Sequence, residues 1–403
     1  MKEIGIYIHI PFCLSKCFYC DFVSYSNRED MIEKYVYALC NEIIQNAEVL
    51  GEYKVTTVYI GGGTPSFIDA KYIAQILSTI YMVTDKANIE EITIECNPNS
   101  ITKEKIDVYK EAGVNRISIG LQSMYDDILK VIGRVHKFKD FENALRIVND
   151  AGIDNITVDL MYPLPNLTLE RLKNTVDYTV TLKDKNVKHV SIYNLEVHEN
   201  TKLAFLLQEG YVSLVDEDEE YEMYKYIKDT FENNGYHRYE ISNYSLEGFE
   251  AKHNTRYWNQ EEYLGFGVNA SSFFRGARYT NIKDLDAYID NLTNLDKIKD
   301  GIVDEYEELD LLSLMKEYVI LSLRKISGLN KSKFKSKFKK EVKDIFLEEI
   351  NDLKKDKLID EDDTNIFLTD RGLEVANIVW EKFVWLIQTK GTEYGKILSN
   401  WWK

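Results

Sequence analysis

The first half of the sequence alternates between strand-like and helix-like segments, and this alternation constrains the fold more than any other feature. Apolar residues recur at three- and four-residue steps between the strand-like runs, as Ile32, Val36 and Leu39 do after the first run. The predicted strands cover residues 4–10, 55–60, 89–96, 115–122, 155–161 and 187–195. Strands separated by helices form parallel βα units, so we predict an α/β fold whose sheet makes an open or closed barrel.

The alternation weakens beyond the sixth strand, and the rest of the sequence divides into two parts. We predict a barrel domain over residues 1–200, an extension over 201–300 and a third domain over 301–403. A helix is predicted from about residue 305. From 331 onward the pattern is helix, helix, hairpin-like turn and helix, which resembles a mostly helical, winged-helix-like module.

Two features of the C-terminal third are open to more than one interpretation. Residues 331–343 are basic in an otherwise acidic chain, but Phe334 and Phe338 form an apolar stripe within them. We therefore predict that the lysines lie on the solvent face of a packed helix. Contact of the lysines with an anionic membrane surface or a partner is the alternative. Trp401 and Trp402 either form part of an interface or pack on the body of the protein.

Composition excludes several classes of protein. The chain of 403 residues carries a net charge of −17, which argues against nucleic acid as a partner because phosphate contacts need clustered Lys and Arg. No apolar run approaches the ~20 residues of a membrane-spanning helix, and the N-terminus lacks the apolar region of a signal peptide. We therefore expect a cytoplasmic protein, with peripheral contact at the membrane as the alternative.

A group of three cysteines follows the first predicted strand. Cys13, Cys17 and Cys20 stand close together, and thiolates suit iron–sulfur clusters and zinc. A loop this short converges three sulfurs on one site but supplies no fourth, so a [4Fe–4S] cluster held here keeps one iron open. Zinc would want a fourth ligand, and buried structural cysteines are the other alternative. Cys40 and Cys96 lie in helix-like and strand-like segments, where we predict ordinary buried thiols.

Glycine or polar residues stand where the predicted strands end. Residues 61–64 end the second strand, and their glycines let the backbone approach a ligand closely. Glu95 ends the third strand, Gln122 ends the fourth and Asp159 lies in the fifth. The chemistry of βα barrels sits at the carboxyl ends of the strands, so we predict that these side chains point into one site. Arg134 is suited to form a bidentate pair with a carboxylate, and an ion pair at the surface is the alternative.

Taken together, these segments resemble the oxygen-independent coproporphyrinogen III oxidase family of radical S-adenosylmethionine (SAM) enzymes. The resemblance covers nearly the whole chain, and its motifs are residues 7–13, the cysteine loop, and residues 61–65, 95–98, 122–123 and 133–136. It implies a partial (β/α)6 barrel in which the open iron of a [4Fe–4S] cluster binds the amino and carboxylate groups of SAM. In this family a reduced cluster cleaves SAM to methionine and a 5′-deoxyadenosyl radical. The residues implied to line the SAM site are Tyr7, Tyr19, Gly62, Gly63, Thr64, Glu95, Gln122, Arg134 and Asp159.

Within that family the sequence resembles the haem chaperone branch more than the oxidases. The oxidases carry a fourth cysteine two places after the third, and a long N-terminal arm. Here Phe22 takes the place of that cysteine, and Cys13 lies near the start of the chain. Residues 253–258 fit a motif of the chaperone branch. His253 in that motif is a candidate axial haem ligand, and the two aromatic rings that end the motif suit a flat macrocycle. A core histidine in an aromatic-rich loop is the alternative.

The resemblance implies a haem chaperone that binds haem and transfers it to an acceptor, such as a membrane respiratory protein. The chaperone would carry a SAM-ligated [4Fe–4S] cluster, and whether it cleaves SAM is left open. The alternative is the oxidase reaction of the family, the radical oxidative decarboxylation of coproporphyrinogen III to protoporphyrinogen IX. A radical SAM enzyme acting on another substrate is a third hypothesis, because fold alone does not define function. A homodimer is compatible with the sequence, which identifies no electron donor.

Overall fold

The six predicted strands form a parallel sheet. The computed structural model describes residues 1–294 and 301–384, so Trp401 and Trp402 lie outside the described residues. The six strands form five parallel pairs, each between strands that are consecutive along the chain. They are β1 (Lys2–Ile10), β2 (Tyr53–Gly62), β3 (Glu91–Cys96), β4 (Arg116–Gln122), β5 (Ile156–Tyr162) and β6 (Val187–Asn194). The observed bounds lie within about two residues of the predicted ones, which confirms the α/β fold.

Helices connect these strands, as the periodicity predicts. They are α1 (Ile32–Gln45), α2 (Ala47–Gly51), α3 (Ala70–Val83), α4 (Lys103–Ala112), α5 (Asp126–Val131), α6 (Phe138–Asp150) and α7 (Leu169–Thr181), and α8 (Lys202–Gln208) and α9 (Glu217–Asn233) follow β6. Polar side chains cap several N-termini: Asp69 accepts a hydrogen bond from the N–H of Lys71, and Thr168 accepts one from that of Arg171. None of the helices in the described ranges is long and apolar enough to cross a membrane.

Further strands extend the sheet at both edges. They are β7 (His237–Glu240), β8 (Asn243–Ser245), β9 (Tyr263–Phe266), β10 (Ser271–Phe274), β11 (Ala277–Asn281) and β12 (Val303–Glu308), and the helices of this region are α10 (Lys252–Trp258) and α11 (Leu285–Thr293). The strand order is β12-β11-β10-β9-β1-β2-β3-β4-β5-β6-β8-β7. Over the described part of the chain this sheet does not close on itself, so the open form of the predicted barrel is the one observed.

The prediction of a helix from about residue 305 is wrong at its start. The residues of β12 form an edge strand, and the next helix, α12 (Leu311–Leu323), begins only after Asp310. The carboxylate of Asp310 caps that helix by accepting a hydrogen bond from the N–H of Ser313 at 2.7 Å. The acidic composition of the segment favours no particular structure, and strand pairing decides the outcome.

The chain divides into two compact units. The second unit is built on residues from Glu308 onward, together with Tyr239–Ile241 and Asn254–Glu261. After α12 its elements are β13 (Leu329–Asn330), α13 (Lys331–Phe338), α14 (Lys343–Lys355), β14 (Ile359–Glu361), β15 (Asn365–Leu368), α15 (Asp370–Glu374) and α16 (Ala376–Val384). The three strands form a separate antiparallel sheet in the order β13-β15-β14. This mostly helical arrangement confirms the prediction of a winged-helix-like module.

The basic run of the second unit packs as its apolar stripe predicts. Phe334 and Phe338 lie in the core of the unit, with ring centroids 4.8 Å apart. Lys331 and Lys343 each form an ion pair with Glu361 at 2.8 Å. Hydrogen bonds from these lysines lower the pKa of Glu361 to about 2. These two lysines are therefore engaged within the unit itself.

A buried carboxylate ties α1 to the strands beside β1. Glu42 accepts hydrogen bonds from the N–H of Gly267 at 2.8 Å and from Nδ2 of Asn281 at 2.8 Å. The hydroxyl of Tyr288 donates a third hydrogen bond to the same carboxylate. Burial raises the pKa of Glu42 to about 7, because desolvation disfavours the charged form more than these donors favour it.

Replacing Glu42 by glutamine is expected to change how stability depends on pH. Between about pH 4.5 and pH 7 the folded state binds a proton that the unfolded state has lost, so Glu42 lowers stability as the pH rises. Glutamine does not titrate. The free energy of unfolding of the wild type minus that of Glu42→Gln should therefore fall by roughly 2 kcal/mol between about pH 5 and pH 8.

Urea unfolding at the two pH values measures this difference. Glu48→Gln is the matched control, since Glu48 is exposed, and it should track the wild type at both pH values. An identical pH dependence in the wild type and Glu42→Gln would contradict the assignment of a raised pKa to Glu42.

Candidate functional site

The cysteine loop begins where β1 ends, and backbone hydrogen bonds fix it to neighbouring loops. The N–H of Cys13 donates to the carbonyl of Tyr25 at 3.0 Å, and the N–H of Phe18 donates to that of Ile132 at 3.0 Å. The carbonyl of Phe18 accepts from the N–H of Leu203 at 2.7 Å. Backbone hydrogen bonds to three neighbouring segments therefore help to fix the conformation of the loop.

The three thiols of the loop share one partly enclosed environment. Cys13 Sγ accepts a hydrogen bond from the hydroxyl of Thr64 at 3.5 Å, and Cys17 Sγ accepts one from Nη1 of Arg134 at 3.4 Å. Burial raises the pKa of Cys13 and raises that of Cys20 to about 11, and the Cys17 thiol adds to both effects. Cys13 and Cys17 thus contact Thr64 and Arg134, two residues of the predicted SAM site, and the assignment of all three thiols to one cluster stays a prediction.

Among the residues that the structure describes, no group of three or more His, Cys, Asp or Glu side chains is arranged to hold one metal ion. The assignment of Cys13, Cys17 and Cys20 to a cluster stays a prediction, with zinc as its alternative.

Gly133 is the position where a side chain would most disturb the cysteine loop. Its φ is +76°, and a Cβ atom there would lie 2.4 Å from the ring of Phe18. We expect Gly133→Ala to displace Phe18 and to lower the iron bound after anaerobic reconstitution by at least about half, because overpacking typically costs about 1–3 kcal/mol.

The matched control for this variant is Gly248→Ala. Gly248 has a φ of +81° but nothing within 4 Å of the added Cβ, so this variant shares the backbone strain without the collision. It should bind iron as the wild type does. Equal iron content in both alanine variants would show that contact with Phe18 does not hold the loop.

The end of β2 lies directly against the cysteine loop because it carries glycines. The N–H of Gly63 donates to the carbonyl of Ile10 at 2.9 Å, and a Cβ on Gly63 would lie 3.0 Å from Cys13 Sγ. Gly62 has a φ of +111°, and a Cβ there would lie 2.6 Å from the ring of His9. Larger residues would separate the strand end from the loop, so the glycines create the close approach.

Two half-buried carboxylates belong to the same region. Glu95 at the end of β3 accepts hydrogen bonds from the hydroxyl of Tyr59 at 2.7 Å and from the N–H of Gly62 at 3.2 Å. Asp159 in β5 accepts one from the hydroxyl of Ser118 at 2.9 Å. Desolvation raises the pKa of Glu95 to about 7 and also raises the pKa of Asp159. Both carboxyl groups therefore keep their protons to a higher pH than exposed ones do.

Buried polar atoms beside the loop lack partners. Nη2 of Arg134 donates to the carbonyl of Gly120 at 3.1 Å, but Nε of Arg134 and Oε1 of Gln122 are buried without a hydrogen bond to any described residue. Gln122 also has a φ of 59°, a value that few residues other than glycine adopt. Unsatisfied polar groups and backbone strain concentrate at ligand sites. Both features indicate that a polar ligand belongs here.

Two tyrosines of the predicted set adjoin these groups. The ring of Tyr7 on β1 stacks near that of Tyr59, with centroids 6.1 Å apart and planes at 13°. The Tyr7 hydroxyl lies 3.3 Å from Nδ1 of His9. Tyr19 lies within the cysteine loop, and burial raises its pKa. The structure thus joins Tyr7, through Tyr59, to the carboxylate of Glu95.

Thr57 and Tyr59 are residues of this region that the motifs do not reveal. Both lie on β2, two residues apart, and Gly61 follows after two more. Alternate residues of a strand share a face, so this spacing was the available signal. It was not decisive, because the sequence alone does not show which face of β2 lines the site.

His253 is enclosed in the first unit. Its Nδ1 lies 2.8 Å from Oγ1 of Thr57, and its ring stacks on Tyr59 with centroids 5.4 Å apart and planes at 26°. The side chain is fully buried. In the second unit, the guanidinium of Arg324 covers the ring of Trp258 at 4.3 Å. The role of His253 as a haem ligand stays a prediction.

The residues present fit a three-cysteine cluster with SAM beside it. SAM carries an ammonium, a carboxylate and ribose hydroxyls, which need acceptors and donors in a buried site. Glu95 and Gln122 supply acceptors, and Arg134 supplies a donor. Oε1 of Gln122 and Nε of Arg134 have no hydrogen-bond partner among the described residues, and burial raises the pKa of Glu95. These acceptors and this donor therefore match the polar groups of SAM, and the buried atoms without partners leave hydrogen bonds for SAM to complete.

Comparison with known families agrees with this geometry. The profile of the radical SAM superfamily matches residues 7–179, and that of the HemN C-terminal domain matches residues 309–375. The structure of coproporphyrinogen III oxidase (HemN) from Escherichia coli, described as a radical SAM enzyme, covers 95% of this chain and 90% of its own at a TM-score of 0.81 and 20% identity. At that identity the likeness shows the fold alone. Fold and family profile together define a radical SAM protein, a class whose members carry a [4Fe–4S] cluster and SAM.

Curated relatives identify the family within the radical SAM class to which this chain belongs. A protein of Lactococcus lactis is 37% identical over 95% of this chain and 98% of its own length, and one of Bacillus subtilis is 34% identical over 94% and 98%. A third, from Escherichia coli, is 32% identical over 67% of this chain and 70% of its own. All three are named heme chaperone HemW. The chain belongs to the HemW family.

Proposed function

We propose that this protein is a haem chaperone, which binds haem and transfers it to an acceptor protein. Identity of 34–37% along almost the entire length of relatives named heme chaperone HemW carries the proposal. The oxidase HemN shares the fold but only 20% of the residues. Phe22 supports the same conclusion, because it is 52% exposed and supplies no metal ligand at the place of the oxidases' fourth cysteine.

Cys13, Cys17 and Cys20 are the proposed ligands of the cluster. When bound, the cluster would hold SAM at its open iron and supply it with an electron. Arg134 donates to Cys17 Sγ, so its positive charge offsets the negative charge of the thiolates. The proposed SAM site is lined by Tyr7, Tyr19, Gly62, Gly63, Thr64, Glu95, Gln122, Arg134 and Asp159. In that site the half-buried carboxylate of Glu95 would accept a hydrogen bond from a donor group of SAM.

The proposed acceptor is a haem protein, of the membrane respiratory class that the resemblance implies. A chaperone must release its cargo, so haem should be held by non-covalent contacts that an acceptor can outcompete. His253 is fully buried, so it could coordinate haem only after its ring becomes accessible. Unchanged haem affinity and absorbance in His253→Ala would reject it as a ligand.

The second candidate function is the oxidase reaction of HemN, which the shared fold and the complete cysteine loop favour. A turnover assay separates the two. The protein is reconstituted without oxygen and mixed with SAM, a strong reductant and coproporphyrinogen III, and the products are analysed by mass for loss of two carboxyl groups. We expect no product from protein whose cluster is intact. Many turnovers per chain would replace the chaperone with an oxidase.

A further inference from the structure

His253 is fixed at its backbone and at its ring. The carboxylate of Glu91 accepts hydrogen bonds from the N–H of His253 and the N–H of Lys252, both at 3.1 Å. Nδ1 of the ring lies 2.8 Å from Oγ1 of Thr57. The residue is fully buried, so its ring is part of the interior of the first unit.

The fixed ring of His253 packs on a tyrosine that reaches the proposed SAM site. The rings of His253 and Tyr59 are nearly parallel, at 26°, with centroids 5.4 Å apart. The hydroxyl of Tyr59 donates to Oε1 of Glu95 at 2.7 Å. A Cβ on Gly61 would lie 2.9 Å from the Tyr59 ring and 3.0 Å from Oε2 of Glu95, so little space is left around the pair.

The second oxygen of Glu95 is also held. Its Oε2 accepts a hydrogen bond from the N–H of Gly62 at 3.2 Å, within the glycine segment that lies against the cysteine loop. The orientation of the carboxylate thus depends on one backbone donor and one side-chain donor. Of these two, only the hydroxyl of Tyr59 can move with its ring.

We propose that His253 is a positioning residue of the SAM site, which acts through Tyr59 on the carboxylate of Glu95. The inference rests on the SAM site of the proposed function and gives the histidine of the chaperone motif a role there instead of at haem. Stacking on His253 restricts the ring of Tyr59, so its hydroxyl stays at Glu95 and the carboxylate is oriented before SAM binds. Preorganised groups bind a ligand more tightly because less freedom is lost on binding.

The haem-ligand alternative makes a different demand on the same side chain. A haem iron must reach a ring nitrogen, whereas the His253 ring is fully buried and Nδ1 faces Thr57. Haem ligation therefore requires this enclosed ring to become accessible to the iron. Positioning of Tyr59 requires the ring to stay.

SAM affinity of the cluster-loaded protein, measured by anaerobic calorimetry, tests the proposal. Tyr59→Phe keeps the ring and removes the bond to Glu95, and His253→Ala removes the stacking partner. Each should weaken SAM binding about fivefold, which is the range expected when one more side chain must be ordered on binding. The double variant should bind SAM no more weakly than either single variant, because both act along one path. Iron content and haem absorbance should match the wild type in all three.

His253→Phe distinguishes a loss of Tyr59 positioning from a general loss of stability. It restores a ring that can stack on Tyr59, so SAM affinity should return to within about twofold of the wild type. It also removes both ring nitrogens, so a haem ligand at this position would be lost as fully as in His253→Ala. If His253→Ala does not yield folded protein, His253→Leu takes its place, because leucine fills the space without a ring that stacks on Tyr59 and should weaken SAM binding as alanine would.

Several outcomes would overturn the inference. Additive losses in the double variant would mean that His253 and Tyr59 act independently, and loss of haem absorbance with unchanged SAM affinity would make His253 a haem ligand. If Glu95→Gln weakens SAM binding but Tyr59→Phe and His253→Ala do not, the inference fails while the proposed SAM site stands. If Glu95→Gln has no effect on SAM binding, the proposed site itself is wrong.

Discussion

Cys17→Ser is expected to abolish the iron–sulfur cluster. A serine hydroxyl stays protonated near neutral pH and is a hard ligand, so it does not replace a thiolate on iron. With two cysteines left in the loop, reconstituted protein should lose nearly all bound iron and the broad visible absorbance of the cluster. SAM binding should be lost with it, because the open iron is the proposed anchor of its amino and carboxylate groups.

Cys40→Ser is the matched control for this change. Cys40 is a buried thiol on α1, where its sulfur accepts a hydrogen bond from the hydroxyl of Thr79 at 3.3 Å. The Cys40→Ser protein should bind iron and absorb light as the wild type does. Retention of iron and absorbance by Cys17→Ser would remove Cys17 from the ligand set.

Glu95→Gln is expected to produce the largest loss of SAM affinity that leaves the cluster intact. Glutamine keeps the shape and one acceptor oxygen but removes the negative charge of the half-buried carboxylate beside Gly62. A hydrogen bond to a charged group contributes about 1.5–3 kcal/mol, so the affinity should fall about ten- to a hundredfold. Anaerobic calorimetry at pH 8, above the raised pKa of Glu95, gives the affinity of the charged form, and iron analysis confirms that the cluster is present.

Glu90→Gln controls for the loss of a negative charge near the same strand. Glu90 is exposed and pairs with Lys252 at 2.6 Å, just before β3 begins. Its replacement should leave SAM affinity within about twofold of the wild type, since exposed ion pairs contribute little. Equal effects of the two substitutions would show that Glu95 acts through general electrostatics and not through contact.

The parts of the fold that the sequence predicts well are those with strong periodicity. Strands β1 to β6 are long and apolar, and the helices between them have one apolar face, so local pattern and tertiary structure agree. Strands such as β9 are only four residues long, and β9 is a strand because it pairs with β1. Pairing of this kind depends on tertiary context, which the sequence of β9 does not contain.

The residues of the candidate site also differ in how far the sequence predicts them. The cysteine spacing and the polar residues at strand ends are local signals, so Cys13 or Glu95 can be singled out from the sequence. The contact of His253 with Thr57 joins residues 196 positions apart, and no local pattern predicts it. For this reason the sequence supports two interpretations of His253, a haem ligand or a core histidine. Only the structure shows that His253 contacts Tyr59.

Haem transfer is the most direct test of the central claim, that this protein is a haem chaperone. Cluster-loaded protein is titrated with haem without oxygen, and the complex is then mixed with a haem-free acceptor such as apomyoglobin while absorbance is followed. We predict saturable haem binding and complete transfer to the acceptor. No saturable binding, by protein whose cluster is shown to be intact, would contradict the claim.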